Sequence, residues 1–329
     1  MYESVPPTSP GHETSRLPGR PDVLFIATAS YSGSTLLGLL LDQHPHVVST
    51  SQLVHLPMYA ARPDRGACTC GVAIGACPFW SAVADRLAPE AADPAATLAA
   101  LQIAPRPPAR PGVLGRLDQL AVHAALLGAP PSSLVRLRPL FASLDAVIAN
   151  AICFLEIVDA IRAERVGAVV VDASKDWSLQ LALWAHAPQR VRFVHLVRDG
   201  RAVMASRMRR LGETAPQAAR AWRVHNRVLL RSQARLPPDE RMRMHYEELC
   251  RRPQEAIRAV LRHAGLEAGE LAVTLRRDDS HLVGGNPMRY RQDETEIEVD
   301  ERWRVDLDAA DLRVFERTAG RLNRRFGYS

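Results

Sequence analysis

The sequence is 329 residues long, 47% of it hydrophobic and 24% charged, which allows a substantial buried core and predicts a globular chain. Its formal net charge is +6, but acidic residues are interleaved with the cations along most of the chain, so the surface reads as mixed and solvated and nucleic acid is not an expected partner. No stretch of about 20 residues lacks charged or strongly polar groups, the nearest being Ser143–Ile161 with Asp145, Asn150, Glu156 and Asp159, so no transmembrane segment is expected.

Residues 1–21 are rich in Pro, Ser, Gly and charge and hold no apolar run of the kind a secretory signal needs. They read as a disordered tail on a cytoplasmic protein, with residues 22–329 forming one domain. Pro21–Ala29 (PDVLFIATA) is a short apolar, β-branched run. The small and polar residues Ser30–Thr35 follow, and then LLGLLLDQHP, a leucine-rich helical stretch that ends at a proline. The unit predicts strand, anion-binding turn, helix: small residues let the backbone turn sharply, and the following helix adds its positive N-terminus. The lysine and spacing of a Walker A loop are missing, which argues against a magnesium-dependent kinase or nucleotidase.

A second short strand run, Val47–Ser49, leads into a loop at Gln52–Tyr59. Residues 61–140, with three clustered cysteines and then an Ala-, Pro-, Arg- and Leu-rich stretch containing RPPARPG, predict an inserted helical region joined by Pro-rich loops. Ser143–Arg165 has the spacing of an amphipathic helix. Ala168–Asp172 (AVVVD) and Arg192–Val197 (RFVHLV) suit strands buried on both faces of a parallel sheet, and Arg241–Tyr246 suits an edge strand. Helices are expected between them at Leu179–Ala187, Arg201–Arg210, Pro216–Arg235 and Pro253–Gly265. The alternation predicts an α/β fold, a parallel sheet flanked by helices with ligands at the carboxyl ends of the strands.

Three features bear on chemistry. Among 42 cations there is a single lysine, Lys175, against 41 arginines, so one position has kept a compact ammonium where a planar guanidinium does not serve. Arg198 closes an apolar strand run, and Ser206 lies two helical turns further on, so both can reach one phosphate. Arg201, Arg207, Arg209 and Arg210 read as surface cations. The spacing of Cys68, Cys70 and Cys77 invites a zinc reading, but three thiols without an evident fourth ligand favour a packed loop anchored by Trp80, and no metal site is expected; five cysteines in all fit a reducing compartment.

These segments resemble the PAPS-dependent sulfotransferases, in the branch that includes carbohydrate, tyrosylprotein and bacterial small-molecule enzymes. SGSTLLGLLLDQHP is similar to that family's 5′-phosphosulfate loop and VRDGRAVMASRMRR to its 3′-phosphate motif, with the matching step from Arg198 to Ser206. VVVDASKD resembles the strand and lysine between those motifs, and HLVGGNPMRYR resembles a Gly-rich loop that covers the nucleotide. The resemblance implies a P-loop-like fold, PAPS as donor with PAP as product, and no required metal. It implies that Tyr31, Ser32, Gly33, Ser34, Thr35 and Leu36 hold the 5′-phosphosulfate, that Arg198 and Ser206 hold the 3′-phosphate, and that Gly285, Asn286 and Arg289 close over the nucleotide.

Lys175 is the expected catalytic cation. The sequence departs from the family pattern at Tyr31, where relatives carry Lys or Arg, and at Gln52, where relatives carry a glutamate. An amide cannot take a proton, so His55 is the expected base, with Asp172 the other candidate. The acceptor is expected to be a small molecule or glycan, and its identity and the oligomeric state are not legible. The competing readings are a P-loop kinase or nucleotidase and a non-catalytic protein that binds PAP or other anions.

Overall fold

The computed structural model describes residues 20–103, 131–137, 141–269, 280–290 and 296–329, with the single positions 122, 124, 128 and 275. Nearly all of the expected N-terminal tail, and the RPPARPG stretch of the insertion, lie outside the described residues.

Among the described residues five strands form one parallel sheet in the order β2-β3-β1-β4-β5: β1 (Val23–Thr28), β2 (Val47–Ser51), β3 (Val169–Asp172), β4 (Val191–Val197) and β5 (Arg241–His245). All six residues of β1 are buried, as are all four of β3, because helices cover both faces. The side chains divide with the period of two that a strand dictates. Val23, Phe25 and Ala27 pack with α2 (Ala142–Glu164) and α3 (Trp177–His186). Leu24 and Ile26 pack on the other face with the leucines of α1 (Ser34–Leu41) and with Ile257, Val260 and Leu261 of the helix Pro253–His263. A third apolar cluster joins α4 (Gly200–Leu211) and α5 (Ala215–Gln233) to the C-terminal Trp303, Phe315 and Phe326.

Two local readings change. Helix α2 is buried over much of its circumference, with 14 of its 23 residues inside, because it lies between the sheet and the inserted helix Pro78–Leu87 and so has no broad solvent face. The segment expected as a loop at Gln52–Tyr59 is helical: Leu53–His55 makes a 3-10 turn and Leu56–Ala61 an α-helix, held by the complete burial of Leu53 and Leu56. The insertion contributes short helices at Pro94–Ala99 and Pro131–Leu137. Among the described residues no helix is long and apolar enough to cross a membrane.

The chain leaves β1 toward one sheet edge and β4 toward the other, so a crevice opens at the carboxyl ends of these adjacent strands. The C-terminus braces this region. Asn323 accepts from Gly200 N (2.9 Å) and donates to Asp199 (3.2 Å), and Tyr328 OH donates to Glu247 (2.6 Å), whose other oxygen accepts from Asp199 N (3.2 Å). Gly200 must be glycine on grounds of space, since a Cβ there would lie 2.5 Å from the Phe315 ring.

Candidate active site

The crevice holds a cavity of about 880 Å³, within the usual range for small-molecule sites. Its wall is made by the turn after β1, by Lys175 beyond β3, by Arg198 and Ser206, and by the segments 285–288 and 296–302.

The turn after β1 has Tyr31 (φ 66°) and Gly33 (φ 92°) in the left-handed region, which swings the backbone abruptly into α1. A Cβ on Gly33 would lie 2.4 Å from the Tyr246 ring, so both conformation and space require glycine. Ser34 and Thr35 open α1, where unpaired N–H groups and the helix dipole favour an anion. The segment carrying Gly285 and Asn286 lies across this helix start: Asn286 N donates to Thr35 Oγ1 (3.0 Å), and a Cβ on Gly285 would meet Ser51 Oγ at 2.7 Å and Thr35 Oγ1 at 3.0 Å.

Lys175 precedes α3 and holds a left-handed backbone, φ 60°. With the Gln52 amide oriented to suit its neighbours, its oxygen accepts from Lys175 Nζ (2.7 Å) and Gly285 N (3.3 Å), and its nitrogen donates to His55 Nε2 (3.3 Å). One amide thus joins the ammonium, the imidazole and the covering segment. Burial lowers the Lys175 pKa to about 8, against the opposing charge of Asp172. Burial, and then the charge of Lys175, also lower the pKa of His55, so its imidazole is neutral at neutral pH and can accept a proton. Asp172 is fully buried and accepts from Thr50 Oγ1 (2.9 Å), Leu53 N (2.8 Å) and Ser174 N (2.8 Å). Its oxygens are committed to pinning the ends of β2 and β3 and the turn that presents Lys175, which makes it a positioning residue.

On the other side, buried Arg198 donates through Nη1 to Tyr31 O (3.0 Å) and through Nη2 to Asp300 O (2.8 Å). It also pairs with the Asp300 carboxylate (3.3 Å) and lies 4.4 Å over the Tyr246 ring. The adjoining Arg302 and Arg198 cations hold Asp300 well below the usual carboxylate range. Ser206 borders the same cavity from α4, and Arg209 and Arg210 reach its rim while staying exposed, as the sequence expected. Arg201 is turned away onto Asp199 and Trp303, and Arg207 onto Glu213.

Of the residues nominated from the sequence, Lys175, His55, Tyr31, Gly33, Ser34, Thr35, Leu36, Arg198, Ser206, Gly285 and Asn286 border this one cavity. Ser32 and Arg289 do not. Ser32 is buried in the turn, and Arg289 is buried behind the covering segment, where it donates to Ala67 O (3.4 Å) and to the Tyr290 hydroxyl.

Residues 157–270 match the family model described as "Sulfotransferase family". Over that third of its length the chain resembles the sulfotransferase family. Among solved structures it is similar to the sulfotransferase domain of the Synechococcus PCC 7002 olefin synthase, with a TM-score of 0.56 and 19% identity over 94% of this chain and 96% of that one. This likeness supports a common P-loop-like α/β fold. Two more distant structures add no weight. One is the sulfotransferase domain from the curacin biosynthetic pathway, with a TM-score of 0.46 and 17% identity over 96% of this chain and 99% of that one. The other is a sulfotransferase from Alicyclobacillus acidocaldarius, with a TM-score of 0.41 and 14% identity over 91% and 95%. No curated protein matches the chain.

Sequence reasoning missed three residues around the cavity and one away from it. Gln52 was treated only as the place of an absent glutamate, although an amide that both donates and accepts is what links Lys175 to His55. Tyr246, between the turn after β1 and Arg198, carried no local signal beyond its place at the end of an edge strand. Asp300 lies in a polar stretch with no motif. The last is His281, and it corrects the reading of the cysteines: its Nδ1 lies 3.3 Å from Cys77 Sγ and 3.6 Å from Cys68 Sγ, so the three thiols do have a fourth partner.

Proposed function

We propose that this chain transfers a sulfuryl group from PAPS to an acceptor hydroxyl of a small molecule, glycan or lipid. The observation that carries the reading is the position of the only lysine in the chain, in the cavity wall and hydrogen-bonded to the same Gln52 oxygen as the segment covering the phosphate turn. A ligand with anionic groups at both ends suits the cavity, which has a glycine-built cradle and helix start on one side and Arg198, Ser206, Arg209 and Arg210 in its wall.

In this reading PAPS, when bound, supplies an activated sulfuryl group on its 5′-phosphate. The turn at Ser32–Thr35 and the start of α1 hold that end, and Arg198 with Ser206 holds the 3′-phosphate. Lys175 keeps its proton and presents positive charge where sulfuryl transfer develops negative charge on the leaving oxygen. His55 takes the proton of the acceptor hydroxyl at Nε2, with the Gln52 amide giving up that lone pair as the acceptor enters. Gly285 and Asn286 shut water out over the turn, and Arg289 acts from behind by bracing them against Ala67.

Calorimetry with PAP, using ATP as comparator, followed by an assay for sulfated product over a broad acceptor panel without added magnesium, tests the reading. Tight PAP binding with product formation is expected. PAP binding without product would favour a non-catalytic binder, and ATP binding without a PAP response would favour the kinase reading; either sinks the proposal.

A further inference from the structure

Away from the reaction cavity, four soft or borderline ligand atoms converge. The Sγ atoms of Cys68, Cys70 and Cys77 and a ring nitrogen of His281 all lie within 4.8 Å of one another. Cys68–Cys77 and Cys70–Cys77 are each 3.6 Å apart sulfur to sulfur, and His281 Nδ1 is 3.6 Å from Cys68 Sγ and 3.3 Å from Cys77 Sγ. Tetrahedral zinc with Zn–S of about 2.3 Å and Zn–N of about 2.0–2.1 Å requires S···S separations of about 3.8 Å and S···N separations of about 3.6 Å. Four of the six edges fit such a tetrahedron to within a few tenths of an ångström, and the other two, Cys68–Cys70 and Cys70–His281, lie within 4.8 Å. They are far longer than a disulfide bond of about 2.05 Å, and all three cysteines are free.

We propose that Cys68, Cys70, Cys77 and His281 form a closed, structural zinc site that staples the loop 66–77 of the insertion to the segment leading into Gly285 and Asn286. The class of metal follows from the ligands: three thiolates and one imidazole in tetrahedral array suit zinc, whereas the oxygen-rich sites of magnesium and calcium do not look like this. With four protein ligands no position is left for a reacting group, so the role is structural.

The surroundings orient the ligands as a metal site needs. The His281 ring stacks on Phe79, with centroids 4.7 Å apart and an interplanar angle of 5°, and the His281 carbonyl accepts from Trp80 Nε1 at 3.1 Å. Cys68 N donates to Val72 O (2.8 Å) and Gly71 N donates to Cys68 O (2.9 Å), a tight turn that needs the left-handed Gly71 (φ 91°) and brings Cys68 and Cys70 to one point. Cys68 and Cys77 are fully buried, while Cys70 and His281 are partly exposed, which leaves a way in for the ion.

The staple has a mechanical consequence. Two residues after His281, Val283 bridges Ser51 at the end of β2, and Gly284, Gly285 and Asn286 follow across the start of α1. On the other side of the same loop, Ala67 O accepts from Tyr290 OH (2.8 Å). The covering segment is thus tied to loop 66–77 before and after its glycines. The zinc site itself stands independently of the sulfuryl-transfer reading.

The test is the metal content of the full chain, purified without a polyhistidine tag or chelator under reducing conditions. One zinc per chain is expected. Cobalt exchanged into the same protein should give the thiolate charge-transfer and intense visible bands of a tetrahedral sulfur-rich site. Cys70→Ser and His281→Gln should each lose stoichiometric zinc, and stripping the metal from the unmodified chain should raise hydrogen exchange in residues 280–290. If a variant fails to fold, the cobalt spectrum of the unmodified chain still decides. A chain that retains no stoichiometric zinc after reconstitution, or that keeps zinc unchanged in both folded variants, would overturn the site, as would a cobalt spectrum without thiolate bands.

Discussion

Lys175 is held where a lysine is least comfortable. A non-glycine residue in the left-handed region gives up about 1–2 kcal/mol, and burial drives its pKa down to about 8. Strain of this kind persists where the surroundings fix it, here by the neighbouring turn at Asp172–Ser174 and by the cap that Asp176 gives to α3. In the proposed reaction the ammonium acts only while protonated, so the pH dependence has a definite sign. For the free enzyme, kcat/KM with PAPS is expected to be level at neutral pH and to fall as pH rises through about 8. Lys175→Arg, whose cation does not titrate in this range, should remove or move that falling limb upward even if the rate is lower; an unchanged limb in a pH–rate profile would assign it elsewhere. Arg198 is the counterpart. Charge-assisted hydrogen bonds contribute about 1.5–3 kcal/mol each, so Arg198→Ala should weaken PAP binding by at least about 10- to 100-fold in a calorimetric titration. Because the Asp300 carboxylate now competes for that guanidinium, Asp300→Asn should strengthen PAP binding in the same titration.

At the scale of elements, the site depends on segments that fix one another. Asp172 is the clearest case, a fully buried carboxylate that accepts from three donors on three pieces of chain. Asp172→Ala leaves those donors unpaired and should destabilise the fold by about 3 kcal/mol or more, read from the midpoint of denaturant unfolding. The glycine segment is tested differently. Gly285 has φ 95° and a Cβ there would clash with Ser51 and Thr35, so Gly285→Ala should push the segment off α1, lowering PAP affinity while the sheet stays intact. Melting with and without PAP distinguishes this from unfolding: the nucleotide-induced rise in Tm should shrink more than the Tm of the free protein.

For the molecule as a whole, what the sequence disclosed and what it hid follow from the range of the contacts. β1, β3 and β4 were legible because a strand covered on both faces is a continuous apolar run. The turn after β1, the placement of Lys175 beyond β3 and the step from Arg198 to Ser206 were legible because each is local, a few residues at fixed spacing next to a strand end. Gln52, Tyr246, Asp300 and His281 were not, since their roles arise only when distant segments meet; His281 is 204 positions from Cys77. The helical segment 53–61 was hidden for a related reason, as burial of Leu53 and Leu56 outweighs the weak local preference of a short polar-flanked stretch. The proposed transfer depends on one ammonium, and the decisive experiment is single-turnover transfer from PAPS by the unmodified chain and by Lys175→Ala, with PAP affinity measured on both. The variant should stay folded and still bind PAP while the transfer rate falls by about 10²- to 10³-fold. Transfer at a near-normal rate in a folded Lys175→Ala protein would rule out the ammonium as the group that stabilises the leaving oxygen.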